Sequence, residues 1–302
     1  MYSHITSNKR KTALLLVVFC AFAIFLLMVL GAVLEIDFYS SLILATAFSL
    51  GYSLVSYYLS DRITLALQGA KAISKTDDRE LYLLVENLSI ASGLPTPTVY
   101  LINDPAPNAF ATGRDPAHAS IAVTTGLLST LSKLELEGVI AHELSHIKNY
   151  DIRLMTLVVV LVGLIMLISD LLIRVNLFKN NDSKESGSFF LVAIAIAFIL
   201  GLLSPILAQV IRLAISRSRE YLADADGVLL TRYPEGLASA LQKISGFEGQ
   251  MKRATHATAH LYISDPFAKG PQKTSSWYQR LFLTHPPIGD RIEKIRAMAI
   301  AS

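Results

Sequence analysis

The sequence is short of cysteine, tryptophan and charge. Cys20 is the single cysteine among 302 residues, and it falls inside an apolar run. No disulfide can form within the chain, and no metal site built on cysteine sulfur either. Charged residues make up 17% of the chain against 52% apolar, which is too little charge for an ordinary soluble domain. The net charge of +3 is accounted for by Lys and Arg beside apolar runs, so nothing asks for a nucleic acid. No internal repeat is present. The only low-complexity stretch is KNNDSKESGS at 179–188, read as an exposed loop.

What is there in quantity is long apolar sequence. Four runs stand out: Thr12–Leu34, Phe38–Leu59, Met155–Ile173 and Phe189–Ile211. Each approaches or exceeds the roughly 20 residues a helix needs to cross a bilayer. The first run is longer than the ~7–15-residue core of a signal peptide, and a second run follows almost at once, so it reads as an uncleaved anchor. Asp170 lies near an end of the third run, and Pro205 and Gln209 interrupt the fourth; a pair of buried core helices is the alternative reading of these two runs. Paired ionisable residues deep in the runs are missing, which speaks against a transporter or channel. Lys9, Arg10 and Lys11 precede the first run, Arg62, Lys71 and Lys75 follow the second, and Arg212, Arg217 and Arg219 follow the fourth. By the positive-inside rule the N-terminus and both polar segments face the cytoplasm.

The expected organisation is a transmembrane hairpin over 1–59, a first catalytic half over 60–154, a second hairpin over 155–211 and a second catalytic half over 212–302. Leu81, Leu84, Val85 and Leu88 give 77–92 helical spacing, and GLPTP stops that helix. TVYLIN and ASIAVTTG read as strands, joined by the turn-rich DPAPNAFATGRDPAH. Ser132-x-x-Glu135 is a capping box that opens the next helix. Helices are also expected over 212–230, 236–246 and from about Asp290. The segment 250–280 reads as irregular.

That capped helix carries His142-Glu143-x-x-His146. Two histidines four apart lie on one helix face within reach of one ion, and the intervening glutamate is placed to take a proton from an activated water. Leu136, Val139, Ile140 and Leu144 would back them. Alone, the motif is weak, because a solvated helix can carry two incidental histidines. A hydrolytic zinc site wants a third protein ligand. SRSREYLADADG offers Glu220, with Asp224 one turn on to receive a hydrogen bond from a ligand imidazole. The competing reading places Glu220 in a surface charge cluster with Arg217 and Arg219. Spacing favours the ligand. His146 stands nine residues before Met155, and Glu220 nine residues after Ile211. If both helices run on unbroken, the hairpin brings all three groups to about the same height, ~13 Å from the spans.

HELSH at 142–146, REYLADADG at 219–227 and THPPIGDRI at 284–292 together resemble the HtpX-type membrane zinc metalloproteases, gluzincins related to the CAAX-prenyl endopeptidases. PAPNAFATG at 105–113, IAVTTGLL at 121–128 and HLYISDPF at 260–267 fit the same family. The resemblance implies an α+β membrane protein with four transmembrane helices and a mainly helical zincin-like catalytic domain bearing a small β-sheet. It implies one Zn2+ on His142, His146 and Glu220, with Glu143 as general base and Asp224 behind a ligand. It further implies a multi-pass cell-membrane endopeptidase, active at the cytoplasmic face on misfolded or damaged membrane proteins and unfolded polypeptides, in stress-linked quality control.

Three assignments are more open. His285 is a candidate oxyanion donor or extra ligand, or a loop histidine ordered by Pro286 and Pro287. ASIAVTT is a candidate edge strand for an extended substrate, with Asn108 and Ala109 touching its backbone; turn chemistry explains that pair equally well. His256 and His260, four apart without a nearby acid, are read as non-ligands. A non-catalytic membrane scaffold that keeps zinc for folding is the alternative to the protease.

Overall fold

The computed structural model describes residues 2–33, 36–163, 217–255, 258–267 and 286–300. The remainder of the third run after 163, the fourth run, His256, and His285 lie outside the described residues. So do Asp170, Pro205 and Gln209.

Two long helices open the chain, α1 (Tyr2–Val33) and α2 (Phe38–Leu67). Asp37 caps α2 by accepting from the Ser40 amide at 3.0 Å, which satisfies one of the helix's open donors. The face of α2 turned inward is made of small residues: Ser41, Ala45, Ser49, Ser53, Ser56, Ser60 and Thr64. Small side chains let helices approach closely, and Cys20 Sγ lies 2.9 Å from Ser53 Oγ across the pair. Leu14, Val17, Phe25, Ile43, Leu44 and Leu54 are exposed on the opposite faces. Both helices are long and apolar enough to cross a membrane, and such an exposed apolar belt is what lipid covers. α2 runs on to Leu67, past the end of the apolar run at Leu59.

The polar part begins with β1 (Lys71–Ala72) and α3 (Arg79–Ser92), the latter capped by Asp78 accepting from the Leu81 amide at 3.0 Å. β2 (Thr98–Ile102), β3 (Ala109–Gly113) and β4 (Ala119–Thr124) complete a four-stranded sheet in the order β1-β2-β4-β3. β2 and β4 are parallel, and the outer pairs are antiparallel. The expected edge strand is therefore wrong. ASIAVTT is internal, paired on both sides; β1 forms one edge and the other is β3. That strand lies in the stretch read as turn-rich. AFATG lacks the β-branched alternation that marks a strand, because all five of its residues are buried and packing replaces propensity.

α4 (Thr125–Thr130) leads into α5 (Lys133–Lys148). The capping box forms as expected, with Ser132 N donating to Glu135 Oε2 at 2.7 Å. α5 is not an amphipathic surface helix. Residues from Leu136 to Ile147 are buried with the exception of Glu137, because α5 lies between the sheet, α3, α7 (Arg217–Thr231) and α8 (Pro234–Ser245). Two glycines permit this density. A Cβ on Gly138 would lie 2.7 Å from the Leu237 nitrogen, and one on Gly227 would lie 3.1 Å from the His142 nitrogen.

The assumption of an unbroken helix below the ligands also fails. α5 ends at Lys148, and Tyr150 adopts φ 59°, the left-handed region that non-glycine residues rarely occupy. The Asn149 amide nitrogen bonds Ser145 Oγ and Asp226 Oδ2, each at 3.2 Å. A new helix, α6, starts at 151 and is described to 163. Leu15, Phe19 and Ala23 of α1 pack against its Leu154, Leu157, Val158, Leu161 and Val162. The last helix is α9 (Ile288–Ile300).

Candidate metal centre

Among the described residues, His142, His146 and Glu220 form one cluster whose ligand atoms all lie within 4.8 Å of each other. The helical i, i+4 spacing brings the two Nε2 atoms to 3.2 Å. Glu220, from α7, stands with its carboxylate oxygens 4.0 Å from His142 Nε2 and 3.6 Å from His146 Nε2. The surface-cluster reading of Glu220 is excluded, since Glu220 and Arg219 are both buried.

Each imidazole is backed by an acid. His142 Nδ1 lies 2.9 Å from Asp224 Oδ1, a close contact off the ring's N–H direction. His146 Nδ1 lies 3.0 Å from Asp151 Oδ2. Asp224 thus lies beside His142, one helical turn from Glu220. Asp151 was not anticipated, because it comes five residues after its histidine and reaches it only through the helix break at Asn149–Tyr150. With a carboxylate beside each Nδ1, a proton held there on each ring leaves the Nε2 lone pairs directed to one place. Two lone pairs at that distance repel unless a proton or a cation lies between them.

Arg291 was also missed; it fell within THPPIGDRI but nothing in its spacing marks it. It is wholly buried. Its Nε and Nη2 donate to Asp224 Oδ2 and Oδ1 at 2.9 and 2.7 Å, and its Nη1 donates to Ile263 O at 3.0 Å. The same Nη1 is 3.5 Å from Glu220 Oε2. Arg219 Nη1 reaches Asp151 Oδ1 at 3.3 Å.

Burial pushes the Glu143 carboxyl up to about 7, and Glu220's charge adds to the rise. The Ala111 N–H of β3 faces this carboxyl and favours its charged form. Burial disfavours a charged His146, but Asp151 and Glu220 outweigh it and carry the group up to about 9. Burial draws His142 down, more strongly than Asp224 draws it up. Burial works against a charged Asp224 too, yet Arg291 and His142 hold it down to about 2. Among the described residues, the buried carboxylates of Glu143, Asp151, Glu220 and Asp224 stand with the buried guanidiniums of Arg219 and Arg291. A divalent cation on His142, His146 and Glu220 fits this donor set, two imidazole nitrogens and a carboxylate that converge in one buried place.

Strand β3 runs beside α5. Asn108 O accepts from the Thr124 amide of β4, and Ala109 O from the Ile263 amide on the other side. The Asn108 amide nitrogen donates to Ser264 O at 3.0 Å, and its Oδ1 accepts from Ala109 N at 3.1 Å. The polar groups of this pair are thus engaged within the protein, as turn chemistry requires. His260 is buried with Nε2 3.0 Å from Met155 O.

The pattern of Peptidase family M48 matches residues 75–299. A "Protease HtpX homolog" of Tropheryma whipplei (strain TW08/27) is 46% identical over 298 residues, covering 99% of this chain and 98% of that protein. Another, of Dictyoglomus thermophilum, is 44% identical over 301 residues, covering 98% and 94%. A third, of Lactobacillus helveticus, is 42% identical over 309 residues, covering 99% and 100%. A crystal structure of S. mikatae Ste24p superposes with a TM-score of 0.49 at 18% identity, covering 98% of this chain and 67% of that one. Family pattern, near full-length relatives and a buried His142–His146–Glu220 cluster agree: the chain belongs to peptidase family M48, among the HtpX-type membrane metalloproteases.

Proposed function

We propose that the chain is a zinc-dependent integral-membrane endopeptidase that cleaves misfolded or damaged membrane proteins at the cytoplasmic face. The observation that carries this reading is the pair of imidazole Nε2 atoms 3.2 Å apart beside Glu220, in one buried cluster. Nitrogen and carboxylate donors in a three-ligand set suit zinc with one position left open.

When bound, such an ion polarises the scissile carbonyl and lowers the pKa of a water. Glu143, lifted toward neutrality by burial, takes the water proton and delivers it to the leaving amine. Asp224 and Asp151 keep the two imidazoles in the tautomer that binds. Arg291 neutralises Asp224 and stands beside Glu220. His285 remains a proposed donor to the oxyanion. An extended substrate fits the outer side of β3. Pairing alternates along a strand, so Ala111 faces outward like Ala109, and its N–H is at Glu143. Asn108 and Ala109 anchor that edge at its start, and substrate pairing centres on Ala111.

Four spans, with the N-terminus and both catalytic halves cytoplasmic, follow from the apolar runs and from Lys9, Arg10, Lys11 and Arg62 beside them. The test uses full-length protein in detergent, stripped of metal, with Glu143→Gln prepared alongside. Zinc is added to each, and an unfolded membrane protein is followed on a gel. Fragments only with wild type plus zinc are expected. Cleavage by Glu143→Gln removes Glu143 as the base, and zinc binding without cleavage of any substrate by wild type favours the scaffold.

A further inference from the structure

Asn8 is a polar residue two turns into α1, and it is buried to 2% exposure. Its amide nitrogen donates to Asn149 O at 2.9 Å and to Asp151 Oδ1 at 2.7 Å. Both partners can only accept, so the amide has one possible orientation. Asn149 closes the ligand helix α5, and Asp151 turns its other oxygen, Oδ2, to His146 Nδ1 at 3.0 Å. A side chain of the first membrane helix is therefore separated from a metal ligand by a single carboxylate.

We propose that Asn8 is a positioning residue for the metal centre, through which α1 sets the orientation of His146; this rests on His146 being a metal ligand. The Asn8 contact is the shortest that Asp151 makes. The Arg219 contact to the same oxygen is 3.3 Å and comes from α7. Without the amide, Asp151 is free to rotate toward Arg219, and its hold on the imidazole loosens. The hydrophobic seam between α1 and α6 does not need an amide. Leu15, Phe19 and Ala23 supply it further along the helix. A buried polar group at that end, aimed at Asp151, carries a cost that packing alone does not explain.

The consequence is a metal affinity that depends on α1. Zinc affinity of the full-length protein in detergent is measured by competition with a chromophoric chelator. Loss of a carboxylate behind a ligand weakens metal binding by about 10–100-fold, so Asp151→Asn is expected in that range. Asn8→Ala, one step further out, is expected near the lower end, about tenfold. Because both act on the same carboxylate, Asn8→Ala adds little in the Asp151→Asn background. Phe19→Ala is the structural control. It loosens the α1–α6 seam without touching Asp151, and zinc affinity stays within about twofold of wild type.

Three results overturn the inference: Asn8→Ala binding zinc like wild type, Phe19→Ala weakening zinc as much as Asn8→Ala, or full additivity of Asn8→Ala with Asp151→Asn. If Asn8→Ala does not fold, Asn8→Gln keeps the amide on a longer, misplaced arm and is read the same way. Failure of the underlying assignment looks different: His146→Ala then binds zinc as well as wild type.

Discussion

Arg291 and Asp224 form a two-pronged pair, Nε to Oδ2 at 2.9 Å and Nη2 to Oδ1 at 2.7 Å, with the guanidinium fully enclosed. The pair ties α9 to the helix that carries Glu220, and Asp224 passes the connection to His142. Removing one member leaves the other as an uncompensated buried charge. Arg291→Met is expected to cost about 3–5 kcal/mol, read as a drop in Tm of roughly 6 °C or more in detergent. Arg291→Lys keeps the charge but loses the fork and falls between. A Tm for Arg291→Met within a degree or so of wild type contradicts the pairing.

Asp224→Asn tests the carboxylate behind His142 directly. Zinc affinity is expected to weaken by about 10–100-fold, while Glu143→Gln, which touches no ligand nitrogen, holds affinity within a few-fold and loses cleavage. Chelator competition on the two proteins separates ligand support from proton transfer. Equal zinc affinities for Asp224→Asn and wild type sink the assignment.

Zinc itself is expected to raise the Tm of the metal-free protein, since it binds the folded site and stabilises it in proportion to the logarithm of free zinc over Kd. The same rise is expected for Glu143→Gln and not for His142→Ala. A rise that survives His142→Ala places the ion elsewhere.

Gly227 faces the backbone of the ligand helix, where an added Cβ would stand 3.1 Å from the His142 nitrogen. Gly227→Ala therefore pushes α7 off α5 and moves Glu220 away from the histidines. Overpacking of this kind costs about 1–3 kcal/mol. A lower Tm together with weaker zinc binding is expected. A gain in Tm, as alanine gives at an unconstrained helix position, is the opposing outcome.

Glu135 closes the capping box of α5 and pairs with Lys243 at 2.7 Å. Burial works against its charge, but Lys243 and the Ser132 amide outweigh it and hold the carboxyl below the usual range. A depressed folded-state pKa gives stability that is present above the unfolded value, about 4.3, and is lost as pH falls through the lower folded one. The Tm gap between wild type and Glu135→Gln is thus expected to be steady near neutrality and to close in acid. A gap that widens on acidification reverses the sign.

The candidate ligands were legible in the sequence because their signals are local. His142 and His146 share a helix face by spacing alone, Ser132 and Glu135 form their box within one turn, and Glu220 and Asp224 repeat the i, i+4 relation on α7. The two N-terminal apolar helices announced themselves by length. What escaped were relations set by other elements. β3 is a strand because β4 and α5 bury it, not because Ala109–Gly113 prefers to be one. Asp151 supports His146 only since Tyr150 takes a left-handed conformation and turns the chain back. Arg291, Arg219 and Asn8 reach the site from distant segments, 67, 68 and 143 residues from their carboxylate partners. The sequence by itself determined which groups can bind a metal, since that is residue chemistry at helical spacing. Only the tertiary structure decided which acids and guanidiniums surround them, because a buried charge takes its partner from whatever the fold brings within hydrogen-bond reach.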